Sequence, residues 1–230
     1  MKYANVCTGI FISRPNRFIA KIYLAGCIEI AHVKNTGRCK ELLVKGAQVV
    51  LKTAPDNNHR VTKYDLIAVW KGERLVNMDS QAPNQVFGEY LLAGNYIPNL
   101  TLIKPEKKYS DSRFDFYVET KERKIFIEVK GVTLEQKGVV LFPDAPTLRG
   151  VKHIQTLMQC IGDGYEAHIV FVVQMSNVQY FTPNYETHPA FGETLTKAQA
   201  YGVQIAAFEC TVSPDSLLID KAVECRLGMG

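Results

Sequence analysis

Residues 112–131 read SRFDFYVETKERKIFIEVKG, and the fold turns on how this stretch pairs with itself. It parses as two strands, residues 113–119 and 124–130, joined by the charged turn 120–123. Pairing Glu119 with Lys124 carries the register down the hairpin and sets Asp115 opposite Glu128. Directly opposed residues share a sheet face, with Cβ atoms about 4.5–5.5 Å apart. Strand alternation adds Lys130 and Arg113 to that face. Two carboxylates side by side repel each other, so the arrangement needs a cation. A divalent ion that prefers oxygen ligands, Mg2+ or Mn2+, suits the pair. Lys130 then stands beside the ion's water. The competing reading is an ordinary hairpin with Glu and Lys on its wet side, because a slip by one residue sends Asp115 to the other face.

Working outward, residues 100–109 read as a further strand that carries Glu106. Before it, a helical pattern starts near Ser80 and includes Gln85, Val86, Glu89, Tyr90 and Leu91, with Pro83 tolerable in a first turn. Glu89 faces either a metal or solvent. After Gly131, residues 135–138 read as a polar bend. Asp144 and Thr147 are candidate N-caps of a helix near residues 148–161. Val151, Ile154, Leu157 and Ile161 form its apolar face; Arg149 and His153 lie four apart and adjacent on another. A helix start bearing Arg149 and Lys152 favours phosphate through its side chains and its dipole. Residues 167–174, AHIVFVVQ, read as a strand buried on both faces. A helix over 190–201 ends at Gly202, residues 203–212 form a second buried strand, and the tail from 213 reads as a short helix and a loose end. The order after residue 80 is α–β–β–β–α–β–α–β, a mixed sheet covered by helices.

Residues 1–80 look all-β. Strand-like runs at 6–12, 18–24, 27–33, 47–53 and 64–70 alternate with turn signals at 15–16, 25–26, 35–37, 45–46 and 55–58. This suits a small OB-like barrel, closed by the polar segment 71–80. The domains are therefore 1–80 and 81–230. The first third holds 13 Lys/Arg against 6 Asp/Glu, while the remaining 150 residues hold 14 against 17. A basic barrel beside an acidic remainder points to a polyanion, or to a merely solvated basic surface. Its cations sit at turns. Arg14 and Arg17 flank Pro15-Asn16, and Lys34 and Arg38 flank a turn in which Asn35 and Gly37 can offer backbone N–H groups to phosphate.

An apolar fraction of 47% supports a packed core. No apolar run is long enough for a membrane helix, and the first residues do not read as a signal peptide. The six cysteines are scattered without a C-x-x-C pair, which fits thiols in a reducing cytoplasm better than zinc or disulfide frameworks. The sequence sets no oligomeric state.

An αβββαβ core with Asp on its second strand and Glu-x-Lys on its third resembles the PD-(D/E)xK nuclease superfamily. NTGR at 35–38, SRFDF at 112–116, IEVKGVTL at 127–134 and FPDAPTLRGVKH at 142–153 resemble the sugar fermentation stimulation protein A (SfsA) family across nearly the whole chain. The resemblance implies an OB-like domain before a nuclease-like one. It implies Asp115 and Glu128 as acidic metal ligands, the Val129 carbonyl as a further ligand and Lys130 as the motif lysine. Glu106 and Glu89 match flanking acids less closely. His188-Pro189 stands where the family has Asp-Pro, a departure that puts that acid's role in doubt here.

The implied activity is metal-assisted hydrolysis of DNA or RNA, with Arg113, Arg149, Lys152 and His153 near the phosphates. Binding is then largely sequence-independent, because phosphate contacts carry no sequence information. A second reading is a non-catalytic DNA-binding regulator of sugar (maltose-type) catabolism. A third is an interaction protein with no nucleic-acid partner, which would lack steeply salt-dependent binding to a generic duplex.

Overall fold

The computed structural model describes residues 1–35, 37–54 and 61–228; Thr36 and the turn signal at 55–58 lie outside them. β1 (Val6–Asn16), β2 (Ile19–Leu24), β3 (Cys27–Val33), β4 (Gln48–Thr53) and β5 (Tyr64–Lys71) form the first unit. β1 runs antiparallel to β2 and β4, β2 to β3, and β4 to β5. A parallel β3–β5 pairing through Ala31–Tyr64 and Val33–Leu66 closes this OB-like barrel. Segment 71–80 does not close it as expected. It carries β6 (Arg74–Asn77), which pairs with the second half of β5, along the stretch that β3 leaves free.

The second unit is a mixed sheet. In chain order come α1 (Ala82–Leu92), β7 (Leu102–Tyr109), β8 (Ser112–Glu119), β9 (Lys124–Val132), β10 (Leu134–Gln136), β11 (Val139–Phe142), α2 (Leu148–Gly162), β12 (Glu166–Val173), β13 (Tyr180–Pro183), α3 (Pro189–Tyr201), β14 (Gln204–Ser213) and β15 (Ser216–Cys225). Its nine strands lie in the order β10-β11-β13-β15-β14-β12-β9-β8-β7. β12 sits between β9 and β14, parallel to both, and its apolar side chains are buried on both faces. Thr147 caps α2 by accepting the Gly150 N–H at 3.0 Å, and Gly202 ends α3 at φ 111°.

One expectation fails in this unit and another is refined. The tail is a ten-residue strand, β15, held antiparallel to β14, because its buried Leu217 and Val223 complete the sheet. The polar bend at 135–138 is the turn of a β10–β11 hairpin, with Lys137 and Gly138 both at positive φ.

The units share apolar cores. Val50, Ile67 and Ala68 of the barrel pack in one cluster with Val86, Phe87 and Leu91 of α1 and with Phe116 and Ile127. Polar groups stitch the same seam. Gln174 Nε2 donates across it to Asn77 Oδ1 and the Asp79 carbonyl, and Lys34 holds Asp79 from within the barrel unit at 3.0 Å. Glu135 accepts from Lys71 at 2.6 Å and pairs with Arg74 at 3.0 Å. Burial pushes the Glu135 carboxyl up, but Lys71, the Gly138 N–H and Arg74 outweigh it and bring it down to about 2. No cysteine is in a disulfide, and no described helix is long and apolar enough to cross a membrane.

Candidate functional site

The β8–β9 hairpin has the expected register from Glu119–Lys124 to Phe116–Ile127, where the ladder stops. Asp115 is therefore not a backbone partner of Glu128. Its side chain takes the place of the next ladder bond, with Oδ2 accepting the Val129 N–H at 2.7 Å. Oδ1 accepts from Asn84 Nδ2 of α1 at 2.6 Å. Strand alternation breaks here. Phe114 packs against His153 on the α2 side, with ring centroids 6.0 Å apart, while Phe116 packs against Phe87 of α1. Across β8, Glu106 of β7 sits at φ 56°, so the irregularity spans both strands.

Glu128 faces α2 and is 3% exposed. Its Oε1 accepts from Lys130 Nζ and from His153 Nδ1, the latter at 2.5 Å. Arg149 Nε donates to His153 Nε2 at 3.3 Å, extending the chain to the surface. Glu128 Oε2 is buried and has no hydrogen-bond partner. Burial pushes the Glu128 carboxyl up, but the His153 hydrogen bond and the Lys130 charge outweigh it, so it titrates below the usual range. Asp115 goes the other way. Burial first, and the neighbouring Glu128 charge second, push it up to about 6. The two carboxylates feel each other, and one buried anionic oxygen is unmatched. Among the described residues no three His, Cys, Asp or Glu side chains cluster as a metal site.

A cavity of about 160 Å³ lies where three of the four motifs meet, lined in part by Asn35, Gly37, Gly131, Thr133, Asp144 and Gln174. A Cβ on Gly37 would lie 2.3 Å from Asp144 Oδ2, and one on Gly131 would lie 2.6 Å from Gln174 Oε1 and Pro83 Cγ. Glycine at 37 permits the close approach of the two units, and glycine at 131 lets β9 lie close to α1 and Gln174.

The remaining expected residues scatter. Arg14 donates to the carbonyls of Gly37, Arg38, Arg17 and Asn35 at 2.7–2.9 Å, so its terminal nitrogens are committed to protein rather than phosphate. Lys34 is spent on Asp79, and Asn35 braces its own turn through Gly37 N and the Met78 carbonyl. Arg17 lies over the Phe18 ring, and Arg38 is exposed. Arg113 is off the expected face, exposed and paired with Glu106 at 3.3 Å. Lys152 pairs with Asp111 at the surface. Glu89 pairs with the amino group of Met1 at 2.6 Å and, among the described residues, forms no three-ligand cluster with the two carboxylates. His188 stands at the N-cap position of α3 without a side-chain capping bond and accepts the Thr147 N–H at Nδ1, 3.3 Å away.

Nothing in the sequence near Asn84 marks its role, because its partner lies 31 positions along the chain. A row of exposed side chains on the barrel also went unread. Ile10, Tyr23 and Ile28 pair directly across β1, β2 and β3 and are 40%, 50% and 62% exposed. Lys21 and Ile30 form the neighbouring pair. The signal was present, since alternation inside IAKIYL and CIEIAHV puts apolar residues on both faces of these strands.

A small OB-like barrel packed on a mixed sheet, with two carboxylates and a lysine gathered at one hairpin, defines an OB domain joined to a nuclease-like domain. The comparisons agree. The SfsA N-terminal OB domain matches residues 12–78, and the sugar fermentation stimulation protein RE domain matches residues 81–216. A sugar fermentation stimulation protein homolog of Desulfitobacterium hafniense is 56% identical over 230 residues, covering 100% of both chains. One of Clostridium beijerinckii is 57% identical over 227 residues, covering 99% of this chain and 100% of that one. The structure of Pyrococcus furiosus SfsA in complex with Ca2+ superposes with a TM-score of 0.86 at 26% identity, covering 98% of each chain. The chain belongs to the sugar fermentation stimulation protein (SfsA) family.

Proposed function

We propose that this chain is a divalent-metal-dependent nuclease that hydrolyses phosphodiester bonds of DNA or RNA with little sequence preference. The observation that carries the reading is the buried, unpartnered Oε2 of Glu128 beside an Asp115 carboxyl pushed up by burial and by the Glu128 charge. A carboxylate oxygen buried without a donor is costly, and a bound cation would relieve both it and the raised Asp115 carboxyl. Asp115 and Glu128 would hold Mg2+ or Mn2+. The Val129 carbonyl is a third candidate, because the N–H and C=O of one strand residue point to the same side and its N–H goes to Asp115. The Ca2+ complex of the Pyrococcus furiosus relative supports a divalent site.

When bound, such an ion activates a water and stabilises charge on the pentavalent phosphate. The chain's own groups supply the rest. Lys130, tethered to Glu128 Oε1, is within reach to orient a water or share its proton with the reaction. Arg149 spends Nε on His153 and keeps its terminal nitrogens for phosphate. On the barrel, Arg17, Lys21 and Arg38 offer charge, and the Ile10–Tyr23–Ile28 row offers a surface on which unpaired bases could stack.

The test is Mg2+- or Mn2+-dependent cleavage of labelled single- and double-stranded DNA and RNA, with wild type, Asp115→Ala and Lys130→Ala in parallel. Cleavage should require metal and vanish in both variants while binding survives. A wild type that binds and never cuts, with Asp115→Ala binding no differently, would make the fold a binding module and favour the regulator reading.

A further inference from the structure

Glu128 receives its hydrogen bonds asymmetrically. Lys130 Nζ and His153 Nδ1 both reach Oε1, and nothing reaches Oε2. Lys130 alone does not impose this, because a flexible ammonium can approach either oxygen or straddle both. His153 is held far more firmly. It is 5% exposed, its ring lies edge-on to Phe114, and α2 fixes its backbone. Arg149 can only donate, so the Nε2 that faces Arg149 Nε accepts. The ring proton is then on Nδ1, where it donates to Glu128.

We propose that His153 is a positioning residue: locked by Arg149 and Phe114, it pins Oε1 of Glu128 and turns Oε2 toward the divalent cation. The proposal rests on the metal-dependent reading above. It gives Arg149 a second task, setting the His153 tautomer, besides any contact with substrate. Without His153, Glu128 could rotate so that Lys130 competes with the ion for either oxygen. Partners that orient a metal ligand in this way typically contribute about 10–100-fold to metal affinity.

The test is Mn2+ binding to the full chain without nucleic acid, by calorimetry or by the electron paramagnetic resonance of free Mn2+. His153→Leu should bind about 10–100-fold more weakly. His153→Asn, whose amide nitrogen lies near the position of Nδ1, should recover most of the affinity. Arg149→Leu, at an exposed position, should weaken binding by several-fold, and long-range ¹H–¹⁵N spectra of wild type should show the Nδ1–H tautomer. A folded His153→Leu that binds Mn2+ like wild type overturns the proposal. If His153→Leu does not fold, Arg149→Leu and His153→Asn decide: full affinity in the first, or a loss of at least tenfold in the second, overturns it. A wild type that binds neither Mn2+ nor Mg2+ removes the metal-dependent reading and this proposal together, whereas a wild type that binds beside an indifferent His153→Leu removes the positioning role alone.

Discussion

Arg14 in the barrel and Glu128 in the large sheet are both charges drawn partly out of water, and they are satisfied in opposite ways. Arg14 sends its terminal nitrogens to four carbonyls, tying the β1–β2 turn to Asn35, Gly37 and Arg38, and only its Nε is left unmatched. Glu128 has both its donors on one oxygen and leaves an anionic oxygen bare. A guanidinium already bonded four times has little left to offer a ligand. A carboxylate with a dry, free oxygen still has an acceptor to offer. Charge in a motif therefore marks a site only where the fold leaves it unsatisfied.

The sharpest way to break the contrast is at Lys130. Lys130→Met should lower cleavage by about 10²–10⁴-fold while leaving nucleic-acid affinity near wild type. Single-turnover cleavage and filter binding on the same oligonucleotide would show it, and equal losses in both would place Lys130 in binding instead. Next in size is Arg14→Met, which should cost about 2–3 kcal/mol in urea unfolding, since four charge-assisted hydrogen bonds go. Its low-salt affinity for a generic duplex should barely move. A large loss of affinity without loss of stability would return Arg14 to the phosphate contacts.

The Asp115 carboxyl sharpens the other side. Its pKa is 3.8 when unperturbed and about 6 in the fold, so between those values the folded protein keeps a proton that the unfolded chain has released. Stability of the metal-free protein should therefore fall as pH rises through that window and stay lower above it. Asp115→Asn should flatten this dependence, melt a few degrees higher than wild type at pH 7, and lose the stabilisation that Mn2+ gives wild type. Thermal scans from pH 4 to 8 with and without Mn2+ are the measurement; a variant that melts lower and still responds to Mn2+ would contradict the account. The smallest effect belongs to the barrel surface. Tyr23→Ala should weaken single-strand binding by about 1 kcal/mol, roughly fivefold, with no change in melting temperature. Unchanged binding would move the strand off that face.

Much of the hairpin was legible because the turn at 120–123 fixes the pairing of Glu119 with Lys124, and side-chain period does the rest. Legibility ended at Asp115. The break in alternation there depends on Asn84 from α1 and on the positive φ of Glu106, neither of which leaves a mark within the hairpin sequence. Arg113 was misplaced by the same break. The role of Arg14 was hidden because its carbonyl partners lie up to 24 residues away, and backbone acceptors have no residue type to read. The tail became a strand because β14 offered it an edge.

The sequence by itself determined the hairpin, the three helices, the buried strands β12 and β14, the OB-like barrel before them and the proximity of Asp115, Glu128 and Lys130, while β10, β11, β13 and β15 emerged only in the fold. These follow from local periodicity, turn chemistry and short-range register. Only the tertiary structure decided which charges remain unsatisfied. That depends on what each neighbouring element brings to the same few ångströms: α2 sets His153 on one oxygen of Glu128, and the carbonyls of Asn35, Gly37 and Arg38 gather on Arg14. Hydrogen-bond satisfaction is a sum over long-range neighbours, and a linear pattern does not contain it.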